Sequence, residues 1–233
     1  MQYLGSKNRI AKYIIPIMLT EKKENQYWVE PFVGGANIID KIKGKRIGND
    51  INKYLISLLI AVRDGYIPPK NISKQEYYDI KLNPDEYPDE LVAFVGYLCS
   101  FGGKLWGGYA HNTKGDNYAA RGCRCLQRQA EKLKGIEFYH GDYTELKIPK
   151  KSFIYCDPPY EGTTKYKNTN NFNHSIFWDW CRKKTKEGHT VFVSEYNAPN
   201  DFECVKSIHY KTILNRNQQS ERVEKLFKYI GDR

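Results

Sequence analysis

The most constraining feature of the sequence is an alternation near its N-terminus. Residues 27–32 (YWVEPF) form a short β-rich run that stops at Pro31 and at the pair Gly34-Gly35. Residues 36–42 read as helix, and residues 46–49 (RIGN) as a second short strand ending at Asp50. Asn52 is placed to cap a helix running from Lys53 to about Arg63. Strand, glycine turn, helix, strand, acid, helix is a βαβ unit, and that unit implies a parallel sheet. The rhythm is lost near Gly65. Pro68-Pro69 opens a stretch of helix and loop that covers residues 73–81, 89–99, the glycine-rich 101–109 and 119–133. It returns with strands at 135–140 and 152–156, a helix at 174–186 and a strand at 190–194. Residues 203–214 and 224–230 alternate apolar with polar, as an antiparallel hairpin does, with 218–222 as its turn. The sheet is thus built from both ends of the chain. Residues 1–65 and 135–233 form one α/β domain, and 66–134 are an inserted, mainly helical subdomain.

Composition narrows the class. A chain of 233 residues with 40% hydrophobic and 27% charged residues is globular, not disordered. Its longest apolar run, residues 55–62, is far short of the roughly 18 residues of a membrane span. No basic segment followed by an apolar one opens the chain, so a cytoplasmic protein is expected. Lys plus Arg outnumber Asp plus Glu by 37 to 27, spread along the chain, and a basic folded domain attracts polyanions, nucleic acid first among them. The six cysteines form no C-x-x-C pair and the five histidines no ligand cluster, so no metal is expected.

Three motifs carry chemistry. Val29-Glu30-Pro31-Phe32-Val33-Gly34-Gly35 is a strand entering a tight glycine turn, where a ligand can approach the backbone beyond the strand's carboxyl end. It is not G-x-G-x-x-G, which disfavours a dinucleotide. Asp50 ends the next strand, where an acid can accept hydrogen bonds from ribose hydroxyls. Asp157-Pro158-Pro159-Tyr160 follows the apolar strand Phe153-Ile154-Tyr155-Cys156 directly. Two prolines end the strand and fix a carbonyl outward. A carboxylate, a rigid carbonyl and an aromatic face are what the exocyclic amine of a planar base needs.

With these elements in order, the sequence resembles the Dam-like D12 class of DNA adenine-N6 methyltransferases over most of its length. The matching elements are Tyr3-Leu4-Gly5-Ser6-Lys7, Glu30-Pro31-Phe32-Val33-Gly34-Gly35, the 66–134 insertion and Asp157-Pro158-Pro159-Tyr160. The resemblance implies a class I, Rossmann-like methyltransferase fold: a mostly parallel sheet flanked by helices, a helical target-recognition insertion and a C-terminal antiparallel hairpin. It implies S-adenosylmethionine as methyl donor, held by Tyr3, Lys7, Glu30, Phe32, Gly34, Asp50, Asp142, Tyr143 and Asp157, and no metal. Asp157, Pro158, Pro159 and Tyr160 would be catalytic: Asp157 and the Pro158 carbonyl accept hydrogen bonds from adenine N6, and Tyr160 stacks on a base flipped from double-stranded DNA.

Sequence recognition would fall in the insertion. Lys104, Asn117, Tyr118, Arg121 and Arg124 are its DNA-contacting candidates, since Arg can read guanine, Asn adenine, and Lys meets phosphate. Tyr109-Ala110-His111-Asn112-Thr113 departs from the Arg-x-Asn element usual in readers of GATC, which leaves the target sequence open. Residues 161–173 read either as a loop closing over the site or as plain surface. Ser194-Glu195-Tyr196-Asn197 borders the base pocket or is only a turn. The expected setting is a bacterial or phage-infected host cytoplasm, as a solitary enzyme or one of a restriction–modification pair, working as a monomer or weak dimer. The rival readings are methylation of cytosine N4 or RNA adenine, and a catalytically silent DNA-binding module.

Overall fold

Among the described residues seven strands, β1 (Trp28–Glu30), β2 (Arg46–Asp50), β3 (Ile136–His140), β4 (Phe153–Cys156), β5 (Thr190–Glu195), β6 (Phe202–Asn215) and β7 (Gln218–Tyr229), follow the order β3-β2-β1-β4-β5-β7-β6 in one mixed sheet. The pairs β2–β3, β1–β4 and β4–β5 are parallel, whereas β7 runs antiparallel to both β5 and β6. Among the described residues six α-helices accompany them: α1 (Ala11–Glu21), α2 (Lys53–Arg63), α3 (Lys74–Leu82), α4 (Asp89–Ala93), α5 (Tyr118–Leu133) and α6 (His174–Lys186). The sheet is mostly parallel with a closing antiparallel hairpin, as the resemblance implied. The computed structural model describes residues 1–113, 115–162, 172–215 and 218–231, with 210–215 and 218–222 described in backbone only. Two compact units divide the chain, and each is taken in turn.

The first unit comprises Met1–Arg9 and Val33–Leu146. β2 and β3 pair in register from Arg46 opposite Ile136 to Asp50 opposite His140. Asn52 caps α2 as expected, its side chain accepting from Leu55 N (3.2 Å), and the helix buries Leu55, Leu58, Leu59 and Val62. α3 opens with a capping box: Ser73 accepts from Glu76 N (3.1 Å), and Glu76 accepts from Ser73 N (2.6 Å). α4 widens into a π-helix, Phe94–Leu98, in which all five residues are buried. α5 buries Ala119, Gly122, Cys123, Leu126, Gln129 and Leu133 at helical spacing. It leaves Arg121, Arg124, Arg128 and Lys132 exposed on the opposite face.

The second unit comprises Ile10–Phe32 and Lys147–Arg233. Every residue of β1 and β4 is buried, as strands covered on both faces are, and Glu30 is the one acid among them. Trp28 stacks on Phe153 (4.8 Å between ring centroids, 9° between planes), and Phe153 stacks on Phe192 (5.3 Å, 17°). Such pairs add about 0.5–1.5 kcal/mol each beyond their buried area. α6 buries Phe177, Trp178, Trp180 and Cys181 and packs on β5 and β7.

Two local expectations differ from the fold, and one helix was not expected. Residues 36–42 form turns and a 3-10 segment, Ile39–Lys41, in place of a helix, because Ala36 takes φ +55° directly after Gly34 at +49°. Residues 218–222 belong to β7, paired from Gln218 opposite Asn215 to Arg222 opposite Tyr210, in place of a turn. α1 was not anticipated, since Pro16 interrupts its pattern. Of the loop expected at 161–173, residues 163–171 lie outside the described residues. No helix among the described residues is long and apolar enough to cross a membrane.

His189 gives the fold a pH dependence. It is buried and accepts at Nδ1 from Ser152 N (3.1 Å). Burial, and then the charge of Lys184, push its imidazole below the ordinary value of 6.5. As pH falls, the unfolded chain therefore binds the proton first, so this stability is present above the unfolded value and is lost as pH falls below it. We expect stability to fall from pH 6.5 downward by up to about 1.4 kcal/mol per pH unit from this group. His189→Gln, which keeps an acceptor for Ser152, should flatten that part of the profile in thermal unfolding.

Candidate active site

The first unit carries six residues singled out for the cofactor: Tyr3, Lys7, Gly34, Asp50, Asp142 and Tyr143. β2 delivers Asp50 at its last position. Val33 N donates to Asn49 O (2.8 Å) and Gly34 N to Asp50 Oδ2 (3.0 Å), while Asp50 Oδ1 accepts from Asn52 N (3.0 Å). One carboxylate thus closes the glycine turn and sets the start of α2. Gly34 is required twice over: its φ is +49°, and a Cβ there would stand 3.0 Å from Cε1 of Tyr3. The Tyr3 ring in turn lies 5.4 Å from that of Tyr97, tilted by 42°.

Lys7 is only 7% exposed and donates from Nζ to Gly5 O (3.2 Å), so it is not a solvated surface lysine. Asn49 Nδ2 donates to Gly141 O (2.9 Å) and Gly141 N to Asp50 O (3.1 Å), which fastens the end of β3 beside that of β2. Asp142 follows, but its Oδ1 accepts from Thr144 N (2.8 Å) and Thr144 Oγ1 (2.5 Å) within its own turn. Tyr143 is buried. Burial pushes the Asp50 carboxyl above its ordinary value, and the N–H bonds from Asn52 and Gly34 pull it back.

The second unit carries Glu30, Phe32 and the Asp157–Tyr160 motif. Glu30 is buried and accepts from Trp28 Nε1 (2.7 Å). Phe32 meets Phe172 (5.8 Å) and Phe177 (5.7 Å) edge-on. Asp157 leaves β4 just after Cys156, which pairs with Val193 of β5. Pro158 is buried; Asp157, Pro159 and Tyr160 are half-buried. The Tyr160 hydroxyl donates to Glu224 Oε2 (2.6 Å) on β7, and its ring meets Tyr196 edge-on (4.7 Å, 83°). Burial, then the carboxyls of Asp157 and Glu224, push the Tyr160 phenol well above its ordinary value, so it stays a neutral donor. Glu195, buried at the end of β5, accepts from Tyr196 N (2.6 Å) and Glu161 N (3.2 Å). Burial, and then the neighbouring Cys181 thiol, push Cys156 up as well, which makes it a poor nucleophile.

The DNA candidates all lie in the first unit. Lys104, Arg121 and Arg124 are exposed, and the Arg121 guanidinium sits 4.5 Å over the Tyr118 ring. Asn117 has a structural task at both ends of its amide: Oδ1 caps α5 by accepting from Ala120 N (2.8 Å), and Nδ2 donates to Asn71 Oδ1 (2.7 Å). Among the described residues no three His, Cys, Asp or Glu side chains are grouped to hold a metal ion. Sequence reasoning missed Tyr97 and Glu224. For Glu224 a signal existed, since it is an acid in the inward register of β7 alongside Leu226. Tyr97 had none.

The mostly parallel strand pairing, with Asp50 and the glycine turn in one unit and the proline-flanked Asp157 in the other, keeps the elements on which the sequence resembles an S-adenosylmethionine-dependent methyltransferase. The chain belongs to the D12 class N6 adenine-specific DNA methyltransferase family, which it matches over residues 3–94 and 103–228. DNA adenine methylation is its reaction class. It is similar to the type II methyltransferase M.MjaIII of Methanocaldococcus jannaschii (23% identical, over 85% of this chain and 84% of that one). It is also similar to the DNA adenine methylase of Salmonella typhi (26%, over 81% and 73%). The type II methyltransferase M.FokI of Planomicrobium okeanokoites is 23% identical over 78% of this chain, which spans only 31% of that larger protein.

The Tyr160–Glu224 bond yields a stability prediction. Glu224→Leu removes the acceptor of the half-buried Tyr160 hydroxyl, a penalty at the lower end of about 1–3 kcal/mol, whereas replacing both partners by apolar groups is close to neutral. Thermal unfolding should show Glu224→Leu clearly destabilised and the double variant Tyr160→Phe/Glu224→Leu restored most of the way.

Proposed function

We propose that the protein is a site-specific DNA-methyltransferase that transfers methyl from S-adenosylmethionine to N6 of an adenine rotated out of double-stranded DNA. The first unit's residues fit the cofactor. The Asp50 carboxylate is an acceptor for ribose hydroxyls, the Gly34 backbone leaves no room for a Cβ beside Tyr3, and the buried Lys7 ammonium suits the methionine carboxylate. Glu30 and Phe32 flank the same turn in sequence and are assigned to it. Asp142 and Tyr143 take the adenine end, Tyr143 by packing. When bound, S-adenosylmethionine supplies a methyl carbon that its sulfonium already makes electrophilic.

The chain's own task is the nucleophile. An exocyclic amine conjugated to an aromatic ring is poor because its lone pair is delocalised. The Asp157 carboxylate and the Pro158 carbonyl accept the two N6–H bonds and favour a tetrahedral nitrogen with its lone pair freed from the ring. Pro159 holds that backbone in one geometry. Tyr160 stacks on the base, with its ring set by Glu224 and Tyr196. Positioning and oriented dipoles therefore supply most of the acceleration. Asp157 holds the N6 proton as acceptor and is not needed as a strong base.

We assign target recognition to residues 66–134, with residues 1–65 and 135–233 as the catalytic domain. Arg121 and Arg124 are the base- or phosphate-contacting cations, Tyr118 braces Arg121, and Lys104 meets phosphate. Asn117 contributes through the helix cap rather than through base readout. One base and one cofactor per event make a monomer sufficient.

The observation that carries this reading is the proline-locked Asp157 at the end of β4, next to a Tyr160 ring anchored from β7. Asp157→Ala should lower kcat by about 10²–10³-fold, the scale for losing one preorganised polar group. The DNA dissociation constant should stay within about threefold, because phosphate contacts dominate affinity. An unchanged kcat would remove Asp157 from catalysis and favour a binding module.

A further inference from the structure

Five residues of the first unit form a closed circuit of contacts. Asp50 accepts from the backbone N–H of Gly34 and of Asn52, both at 3.0 Å. Asn52 Nδ2 donates to the Tyr97 hydroxyl (2.8 Å). The Tyr97 ring lies 5.4 Å from the Tyr3 ring. Tyr3 covers Gly34 so closely that a Cβ there would stand 3.0 Å from its Cε1. Asp50, Gly34 and Tyr3 are residues assigned above to the cofactor. Tyr97 comes from the other part of the chain, the 66–134 segment assigned to target recognition.

We propose that Tyr97 is a positioning residue for the cofactor site: it sets the ring of Tyr3 with its own ring and the amide of Asn52 with its hydroxyl. The inference rests on the cofactor reading above. Tyr97 suits the task because its backbone is fixed on two sides. It sits in the π-helix Phe94–Leu98, a widened turn that alters which way successive side chains leave the axis. On one side Gly96 O accepts from Trp106 N (2.9 Å), and a Cβ on Gly96 would stand 2.6 Å from Leu105 Cδ1. On the other side α5 presses close through Gly122, where a Cβ would stand 2.9 Å from Leu98 Cβ and 3.2 Å from Phe94 Cε2. Gly103 O, a few residues further along the segment, accepts from Leu4 N (3.1 Å) and holds the chain next to Tyr3. Asn52 in turn uses Oδ1 to cap α2 and Nδ2 to reach Tyr97, so its amide is committed at both ends. The segment assigned to reading DNA therefore also supplies a wall of the cofactor site.

The test uses the full chain and three variants, Tyr97→Phe, Asn52→Ser and their combination, with calorimetric binding of S-adenosylmethionine and steady-state methylation. Asn52→Ser keeps a capping oxygen for α2 and removes the reach to Tyr97. Each single variant should raise the dissociation constant and KM for S-adenosylmethionine on the order of tenfold, with kcat and the KM for DNA within about twofold. The double variant should be no weaker than the worse single one, since both break the same bond. Unchanged S-adenosylmethionine binding with a lowered Tm would make Tyr97 a core residue only and overturn the proposal. Additive losses, or equal losses in kcat and in both KM values, would overturn it as well. A wild-type protein that binds no S-adenosylmethionine would fail earlier, at the cofactor assignment itself.

Discussion

The Asp50 carboxylate ties the glycine turn to the start of α2. Its two oxygens take the N–H of Gly34 and the N–H of Asn52, so one group fixes the glycine turn and the first residue of the α2 cap. The main chain at Asp50 adds a third tie, accepting from Gly141 N where β3 ends. An ordinary βα turn would leave these strand ends independent. Here they are bound to a single acid whose burial makes its own charge costly. Hydroxyl donors from a ribose would relieve that cost, which gives a physical reason for an acid at this position.

The second unit solves a different problem with similar means. Its acid, Asp157, is held by what surrounds it in sequence, with an apolar strand before it and two prolines after it. The Tyr160 ring is held from a distance, by Glu224 on the antiparallel strand β7 and by Tyr196 beyond β5. The antiparallel hairpin thus does more than close the sheet edge. It brings a buried acid to the Tyr160 hydroxyl, and Glu195 ties the chain after the motif to the end of β5. A reaction that depends on orientation rather than on a strong base calls for this kind of rigidity.

What was legible in the sequence was local. The apolar run ending at Asp157-Pro158-Pro159-Tyr160, the Asn52 cap and the α5 helix are all written in neighbouring residues, and the fold keeps each of them. Asn117 as a helix cap was equally local, although its amide had been assigned to base reading. What failed was set by distant contacts. Residues 36–42 carry a helical composition, but the turn tied to Asp50 drives Ala36 to positive φ. Pro16 hid α1, and β7 begins well before its apolar alternation becomes regular. The burial of Lys7 is set by the fold, and Tyr97 and Glu224 meet their partners only across long stretches of chain.

The proline-locked motif is proposed to present an adenine amine for methylation. Nucleoside mass spectrometry of unmethylated genomic DNA, incubated with the protein and S-adenosylmethionine and then digested, tests it most directly. The expected product is N6-methyladenine that appears with time and requires the cofactor. N4-methylcytosine, or no methylated base from a protein that binds both DNA and S-adenosylmethionine, would contradict it.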